Sequence, residues 1–306
     1  MKYSVVIPVF NSQDVVGETI ERTVAFFCKE SLDFEIILVN DGSADKSWEV
    51  INQKALIYSE VVAVDLLHNY GQHVANLCGF SHATGDFIIT MDDDLQNPPE
   101  EIRKLIDKAA DDYDLVIGRF KEKKHSLFRR LGSRIVHLII RKIFYAPKDL
   151  VLSNFRIIRK DVVQRVCTYK TNYPYIPGLV LMFSSQRTNV LVDHNPREVG
   201  KSNYNLWRII RLLSEILFNY SSYPLRLVAG IGLLTALASF ALSAFYLYVG
   251  MMNGTRVPGW LTVVVLLSFF NGMTLFVLGM SGEYLVRLIN QTSRTETYHI
   301  KNITRG

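Results

Sequence analysis

The strongest chemical signal in the chain is an acidic loop that directly follows an apolar run. Three aspartates, Asp92–Asp94, come after Phe87–Met91, and Gln96 and two prolines follow them. A solvated turn is one explanation for three adjacent carboxylates, which repel one another. The other is a hard divalent cation such as Mg²⁺ or Mn²⁺, which prefers oxygen ligands. Because such a cation bridges diphosphate oxygens and stabilises a departing phosphate, the loop predicts a metal-assisted reaction of a diphosphate.

Three further polar loops follow apolar runs of the same kind. The runs are Tyr3–Val9, Glu35–Val39 and Val61–Leu67. Phe10 and Asn11 follow the first run, Asp41 follows the second and Asn69 follows the third. Asp41 either caps the next helix or binds a nucleobase or ribose edge, and the sequence leaves both readings open. Together with the acidic loop, these segments predict a nucleotide-plus-metal site.

The apolar runs also predict the fold. They are short and rich in β-branched residues, and stretches of about 15 to 20 residues with helical periodicity separate them. Strands that alternate with helices predict an α/β fold with a parallel, doubly wound sheet. Ligands of such sheets bind at the carboxyl ends of the strands, so the four loops are expected at one rim.

The last third of the chain is strongly apolar. Leu225–Val249 contains one charged residue, Arg226, and Leu261–Met280 contains none. Each segment, as a helix, is long enough to cross a hydrocarbon core of about 30 Å, although two buried core helices are the alternative. Basic residues flank the outer ends, whereas residues 250–259 hold only Arg256. We therefore predict a two-helix transmembrane hairpin with the large domain in the cytoplasm.

Two amphipathic stretches precede the predicted hairpin, Leu127–Phe144 and Tyr204–Phe218. They are either core-facing helices or helices that lie in the membrane interface, and the basic residues around them favour the interface. Residues 119–170 hold 15 Lys and Arg against 3 Asp and Glu, which predicts an anion-binding face.

The net charge of the whole chain is only +5, too small to indicate a nucleic-acid partner. Three cysteines without metal-type spacing exclude a disulfide framework, and the first residues lack the features of a signal peptide.

Several strings of the sequence resemble one enzyme family. They are IPVFN, VNDGSADKS, NYGQHVA, GFSHATGDFIITMDDDLQNPPEEI and the carboxyl-terminal apolar pair. Together they are similar to the polyprenyl-phosphate glycosyltransferases, inverting enzymes of glycosyltransferase family two with the GT-A fold. The family includes dolichyl-phosphate mannose synthases and bacterial O-antigen glucosyltransferases. Residues 69–102 most resemble its undecaprenyl-phosphate 4-deoxy-4-formamido-L-arabinose transferases.

The resemblance covers nearly the whole chain and implies a reaction. A sugar is transferred from a nucleotide diphosphate, expected to be UDP-linked, to undecaprenyl or another polyprenyl phosphate. The reaction is expected at the cytoplasmic face of a bacterial inner membrane, on a multi-pass protein in contact with the lipid bilayer. The resemblance also implies Mg²⁺ or Mn²⁺ as the cofactor and makes a homotetramer plausible.

The resemblance assigns roles to particular residues. Those expected to bind the nucleotide are Pro8, Phe10, Asn11, Asp41, Asn69, Asp92 and Asp93. Those expected to take part in catalysis are Asp92, Asp94 and Asn154, with Asp94 and Gln96 as the metal contacts. Those expected to bind phosphate or the acceptor are Arg119, Ser133, Arg134, Arg197, Lys201, Ser202 and Tyr204.

Three positions depart from the family pattern. Ser12 replaces a glutamate, and Asn203 stands where the family has a lysine, for which Lys201 is the substitute in the opposite register. Asn154 replaces an aspartate that is proposed to act as a base. An amide does not accept a proton at neutral pH, so a base at this position is excluded. A phosphate acceptor is already an anion at pH 7 and attacks without one.

Two other functions remain in competition. A processive polysaccharide synthase is expected to carry a Q-x-x-R-W motif and more spans, and neither occurs in this sequence. A catalytically degenerate membrane scaffold or lipid-binding module is the alternative from another class. The three departures favour it, whereas the intact aspartates oppose it.

These inferences divide the chain into four predicted parts. They are a nucleotide-sugar-binding GT-A core (1–125), an acceptor-side remainder with the interfacial helices (126–224), the transmembrane hairpin (225–280) and a cytoplasmic tail (281–306).

Overall fold

The computed structural model of the chain describes residues 1–120, 140–171, 173–195, 206–253, 259–293 and 297–306. The chain forms two compact units, Met1–Tyr204 with Thr295–Gly306, and Asn205–Arg294. The structure thus places a boundary near residue 205 and returns the last residues to the first unit. The sequence-based boundaries at 125, 224 and 280 stay predictions of functional parts rather than of these units.

The first unit is built on a mixed sheet, with eight strands among the described residues. The strands are β1 (Lys2–Val9), β2 (Asp33–Asn40), β3 (Val61–Leu66), β4 (Phe87–Thr90), β5 (Leu115–Phe120), β6 (Arg156–Arg159), β7 (Arg187–Val192) and β8 (Ile300–Arg305). Their order across the sheet is β7-β5-β6-β4-β1-β2-β3-β8. The central strands β3, β2, β1 and β4 are parallel, as the sequence predicts.

The predicted parallel arrangement of strands holds for this centre but is wrong at both of its flanks. Strand β6 lies antiparallel between β4 and β5, and β8 pairs antiparallel with β3. Both strands pair with partners far away in the sequence, so local hydrophobic patterning does not reveal their direction. The predicted cytoplasmic tail therefore ends as an edge strand of the sheet.

Helices cover the sheet and pack through apolar faces. Those of the first unit are α1 (Val16–Lys29), α2 (Ser47–Ile57), α3 (Gln72–His82), α4 (Ile102–Ala109, after a 3₁₀ turn at Pro99–Glu101), α5 (Lys160–Thr168) and α6 (Ile176–Phe183). Helix α1 buries Val16, Ile20 and Phe27 at helical spacing, and Phe27 stacks on Phe34 of β2. On α3, a Cβ at Gly79 would lie 2.3 Å from a methyl carbon of Val6. Glycine therefore lets α3 pack directly on β1.

The second unit is helical. Its helices are α7 (Leu206–Tyr220), α8 (Tyr223–Asn253) and α9 (Trp260–Ser293). Helices α8 and α9 include the segments predicted to form the membrane hairpin. Within the described ranges, however, no helix has the combination of length and apolar content that a membrane crossing requires. The predicted transmembrane hairpin is therefore not supported by the structure.

The two stretches predicted to be interfacial are described only in part. Residues 127–139 of the first lie outside the described residues, and residues 140–144 are helical. Ile140 and Phe144 are buried, and the Phe144 ring packs against Gly178. This end of the stretch packs as a core-facing helix does, which is the alternative that the sequence leaves open. Residues 206–218 of the second stretch lie in α7, in which Ile216 is buried, and residues 204–205 lie outside the described residues.

Candidate active site

The acidic loop leaves the carboxyl end of β4, at the same edge as the loops after β1, β2 and β3. Asp93 joins two of these loops, because its carboxylate accepts hydrogen bonds from the Phe10 amide (3.3 Å) and from the Ser12 hydroxyl. Its backbone oxygen accepts a third from the Thr19 hydroxyl of α1 (2.9 Å). Burial raises the pKa of Asp93 to about 6, although the two hydrogen bonds to its carboxylate oppose that shift. Asp93 thus holds the acidic loop against the loop after β1 and against helix α1.

Asp92 is held by two amide side chains. Gln72 Nε2 and Asn154 Nδ2 both donate to its Oδ1, each at 2.7 Å. Burial raises the pKa of Asp92, the Asn154 hydrogen bond opposes that effect, and the nearby charge of Asp94 adds to the rise. Gln72 is a contact that sequence reasoning missed, although it stands in the NYGQHVA string.

A buried cation lies behind this carboxylate. Arg156 is fully buried, and its Nη2 donates to Asn154 Oδ1 (3.2 Å) while its Nε donates to Thr90 Oγ1 (3.1 Å). Asn154 therefore bridges Asp92 and Arg156 with its two amide ends. Among the described residues Arg156 Nη1 has no hydrogen-bond partner. Burial lowers the pKa of Arg156 to about 10, which leaves it charged at neutral pH.

Two aromatic groups complete this buried layer. The His73 and Tyr175 rings meet edge to face with their centres 5.2 Å apart. Burial, together with the positive charge of Arg156, lowers the pKa of His73 to about 4. Burial raises the pKa of Tyr175 to about 12, so both groups are neutral at pH 7.

Asp94 and Gln96 lie side by side in the acidic loop. Asp94 Oδ1 accepts the Gln96 backbone amide (3.2 Å), and the two side chains are also hydrogen-bonded. Leu95 between them adopts a left-handed φ of 56°, and the Asn195 amide donates to the Gln96 carbonyl (2.9 Å). Carboxylate and amide oxygens suit a hard cation. Within the described part of the chain, however, no group of three or more His, Cys, Asp or Glu side chains is placed to hold a metal ion.

The loops after β1 and β2 are hydrogen-bonded to each other. The Asn11 amide donates to Ser43 Oγ (3.0 Å), and the Ala44 amide donates back to Asn11 Oδ1 (2.9 Å). The Ser12 amide donates to Ser47 Oγ (2.8 Å). Asn11 itself has a φ of 52°, a conformation that asparagine tolerates better than most residues.

Asp41 binds the loop after β3. Its two carboxylate oxygens accept the amides of Tyr70 (2.7 Å) and Gly71 (2.8 Å), and its carbonyl accepts Asn69 Nδ2 (3.0 Å). Burial raises the pKa of Asp41, and the two backbone hydrogen bonds oppose that effect. The capping interpretation is wrong, because α2 begins only at Ser47. The carboxylate positions a neighbouring loop, and a nucleotide contact through it stays a prediction.

The other predicted nucleotide contacts differ in exposure. Pro8 is buried within β1, so its ring faces protein, whereas the Phe10 side chain is 49% exposed beside the rim. Asn69 is exposed. An exposed aromatic ring next to polar loops is suited to stack on a nucleobase.

The predicted phosphate-binding residues are described only in part. Arg119 is exposed near the end of β5, which runs parallel to β4 through their common neighbour β6. The remaining predicted contacts lie outside the described residues, and they are Ser133, Arg134, Arg197, Lys201, Ser202 and Tyr204. Part of the basic excess over residues 119–170 is neutralised internally, since Arg159 pairs with Asp112 (2.7 Å) and Arg165 with Asp161 (2.7 Å).

Comparisons with known proteins agree with the resemblance drawn from the sequence. An undecaprenyl-phosphate 4-deoxy-4-formamido-L-arabinose transferase of Edwardsiella ictaluri is 35% identical over 306 residues, which cover 99% of this chain and 94% of the relative. The protein of the same name from Photorhabdus laumondii is 34% identical over 305 residues, with the same coverage.

Solved structures share the fold. A glucosyl-3-phosphoglycerate synthase from Mycobacterium tuberculosis, in complex with Mn²⁺, uridine diphosphate and phosphoglyceric acid, aligns with a TM-score of 0.53. That alignment covers 71% of this chain and 76% of the other at 13% identity, which is evidence for the fold alone. The GT-A prediction is thereby confirmed as a mixed α/β sheet.

A family description matches more than half of the chain. Residues 4–167 match Glycosyl transferase family 2, and this span contains the four rim loops, Asn154 and Arg156. The match and the full-length relatives lead to one conclusion: the chain belongs to glycosyl transferase family 2.

Proposed function

We propose that this enzyme transfers a sugar, with inversion, from a nucleotide diphosphate to undecaprenyl phosphate or a related polyprenyl phosphate. The observation that carries the proposal is the acidic loop. It lies at the carboxyl rim of the sheet, tied through Asp93 to the loop after β1 and through Asp92 to Gln72 and Asn154. The names of the full-length relatives support a polyprenyl-phosphate acceptor. They favour a transferase over a scaffold.

The proposed reaction is a single displacement at the anomeric carbon. An oxygen of the acceptor phosphate forms the new bond to this carbon, and the bond to the nucleotide diphosphate breaks, so the configuration inverts. The attacking phosphate carries negative charge at pH 7, since its second pKa is about 6. No side chain must remove a proton, which agrees with an amide at position 154.

Asn154 has a positioning role in this proposal. Its amide nitrogen donates to Asp92 and its amide oxygen accepts from Arg156, so both ends are engaged. The pair of hydrogen bonds holds the Asp92 carboxylate at the rim without adding a second negative charge beside it. This arrangement lowers repulsion toward two phosphorylated substrates.

We place the nucleotide against the loops after β1, β2 and β3. The exposed Phe10 ring, Asn11, Asn69 and the segment after Asp41 provide a stacking surface and hydrogen-bonding groups. Uridine is the base that the resemblance implies. Arg119 is assigned to the phosphates on the neighbouring side of the rim.

A divalent cation fits the acidic loop. Asp94 and Gln96 present a carboxylate and an amide oxygen side by side, with Asp92 two residues earlier, and all are hard oxygen donors. When bound, Mg²⁺ or Mn²⁺ would neutralise charge on the leaving diphosphate. The protein supplies few acidic ligands, so substrate oxygens and water are needed to complete the coordination.

We also propose that the second unit brings the enzyme to the lipid bilayer of the bacterial cytoplasmic membrane. Helices α8 and α9 expose many large apolar side chains, including Leu227, Leu237, Phe245 and Leu275. Apolar surfaces of this extent are normally covered by a partner or by lipid. A polyprenyl acceptor resides in the membrane, so contact with lipid serves the proposed reaction.

The experiment is a transfer assay with the purified full-length protein in lipid nanodiscs. Nucleotide sugars are supplied one at a time with undecaprenyl phosphate and Mg²⁺ or Mn²⁺, and products are identified by mass spectrometry and their anomeric configuration by NMR. We expect one donor class to give an undecaprenyl-phosphate sugar of inverted configuration. Donor hydrolysis without a lipid product, or no turnover with any donor, would contradict the proposal.

A further inference from the structure

A buried carboxylate near the end of β3 has no role in the proposed reaction. Asp65, near the carboxyl end of β3, is only 4% exposed. Asn40 Nδ2, at the end of β2, donates to Asp65 Oδ1 at 2.7 Å. A buried carboxylate with a single hydrogen bond is costly unless a cation accompanies it.

The cation comes from the last strand of the chain. Lys301 Nζ lies 3.6 Å from Asp65 Oδ2. Asp65 pairs with Asn302 and Leu66 pairs with Ile300, so Lys301 is the extra residue of a β-bulge in β8. Bulges redirect side chains relative to a regular ladder, and here the bulge coincides with the residue that faces Asp65.

A chain of hydrogen bonds connects Asp65 to the loops at the carboxyl edge of the sheet. Because Asp65 accepts a hydrogen bond, the amide nitrogen of Asn40 must face it and the amide oxygen must face away. That oxygen accepts the Ser43 amide at 3.4 Å. Ser43 Oγ in turn accepts the Asn11 amide, and Asn11 Oδ1 accepts the Ala44 amide.

We propose that Lys301 is a positioning residue for the loops after β1 and β2, which the proposed function assigns to the nucleotide of the donor. It neutralises Asp65, which fixes the orientation of Asn40 and thereby the conformation of residues 40–44 against the loop after β1. The consequence for substrate rests on the proposed function, because it assumes that these loops bind the nucleotide. The consequence for the loops themselves does not.

The first test is hydrogen exchange of the full-length protein, comparing wild type with Lys301→Met, Lys301→Arg and Thr304→Val. Thr304 is the matched control, since its hydroxyl bonds Asn52 from the same strand and loses that bond without touching Asp65. In Lys301→Met we expect the amides of Ser43 and Ala44 to exchange at least about 10-fold faster, because local opening becomes easier. Lys301→Arg should restore protection.

The second test separates positioning from general stability. With the preferred nucleotide sugar, Lys301→Met should raise the donor KM about 3- to 10-fold, with the acceptor KM and kcat near wild type. Thr304→Val should leave both KM values unchanged. If no nucleotide sugar is turned over by the wild type, the proposed function fails, and hydrogen exchange still decides the role of Lys301. Unchanged exchange at Ser43 and Ala44 in Lys301→Met, or equal changes in Thr304→Val, would overturn the inference.

Discussion

At the scale of single residues, the adjacent aspartates of the acidic loop have different surroundings. Asp92 accepts two side-chain amides, Asp93 accepts the backbone and hydroxyl of the loop after β1, and Asp94 pairs with Gln96. Asp93 therefore holds the acidic loop to the loop after β1, whereas the hydrogen bonds between Asp94 and Gln96 lie within the acidic loop. A substitution at Asp94 leaves the hydrogen bonds of Asp92 and Asp93 to neighbouring loops in place.

Asp94→Ala should reduce transfer by at least about 100-fold, because a carboxylate that helps to neutralise the departing diphosphate is lost. The unfolding temperature should change little, since the side chain is only partly buried. Transfer assays with added Mg²⁺, with Mn²⁺ and with excess EDTA measure the effect. Asp33→Ala, an exposed acid at the opposite end of a strand, is the matched control. Full activity of Asp94→Ala, or of the wild type in EDTA, would rule out this role.

The buried His73 should make the free energy of unfolding depend on pH. Its pKa is lowered to about 4 from the ordinary value of 6.5, so the native state keeps it neutral while the unfolded state takes up a proton. The stability that the neutral His73 contributes is therefore fully present above about pH 6.5 and declines as the pH falls toward 4. In His73→Gln the decline over this window should become shallower, as measured by urea unfolding at successive pH values. His82, whose pKa burial also lowers, adds a slope of the same sign, and Asp93, whose pKa is raised to about 6, adds one of the opposite sign; both remain in the variant. An unchanged slope would show that His73 is not the titrating group.

At the scale of elements, the rim depends on how closely neighbouring loops approach. Gly42 has a φ of 62°, and a Cβ there would lie 2.6 Å from the Asn69 backbone nitrogen. The backbone of the loop after β3 therefore leaves no room for a side chain at position 42 in the loop after β2. The VNDGS string requires glycine for both reasons.

Gly42→Ala should destabilise the protein and raise the KM for the nucleotide sugar. The left-handed φ alone costs about 1–2 kcal/mol, and the contact with Asn69 forces the loops apart. Gly17→Ala, at the second residue of α1, is the control, because its Cβ would make an ordinary 3.5 Å contact with Val50 of α2. Thermal unfolding and donor kinetics measure both variants. Equal changes in unfolding temperature and donor KM in the two variants would show that the close contact between Gly42 and Asn69 does not matter.

The elements also show what could be predicted from the sequence. The four central strands and the gathering of Asp41, Asn69 and Asp92 at one edge follow from apolar runs and the parallel topology. The directions of β6 and β8 do not, because they depend on pairing with distant strands. The basic excess over residues 119–170 includes Arg156, although this side chain is buried behind Asp92. Only the tertiary fold distinguishes a buried guanidinium from an exposed one.

At the scale of the whole molecule, the two units differ in which residues they expose. The first unit buries its apolar residues on both faces of a sheet, while α8 and α9 of the second expose large aliphatic and aromatic side chains. The apolar segments Leu225–Val249 and Leu261–Met280 in these two helices predict contact with a membrane. The finer prediction of a crossing hairpin finds no support among the described helices.

We expect the protein to sediment with membranes and to resist extraction by 1 M salt, but to be released by detergent. In 1 M salt the Debye length is about 3 Å, so attraction between basic residues and anionic lipid is screened beyond that distance, whereas apolar contact with lipid is not weakened. The double variant Leu233→Asp/Leu237→Asp places two charges on one face of α8, where the leucines are 63% and 60% exposed. It should shift protein to the soluble fraction, because a charge in contact with hydrocarbon costs several-fold more than a leucine gains. Leu56→Asp, at a residue of the first unit that is 67% exposed, should stay with the membranes. Release of the wild type by salt, or sedimentation of the double variant like the wild type, would show that α8 does not anchor the enzyme.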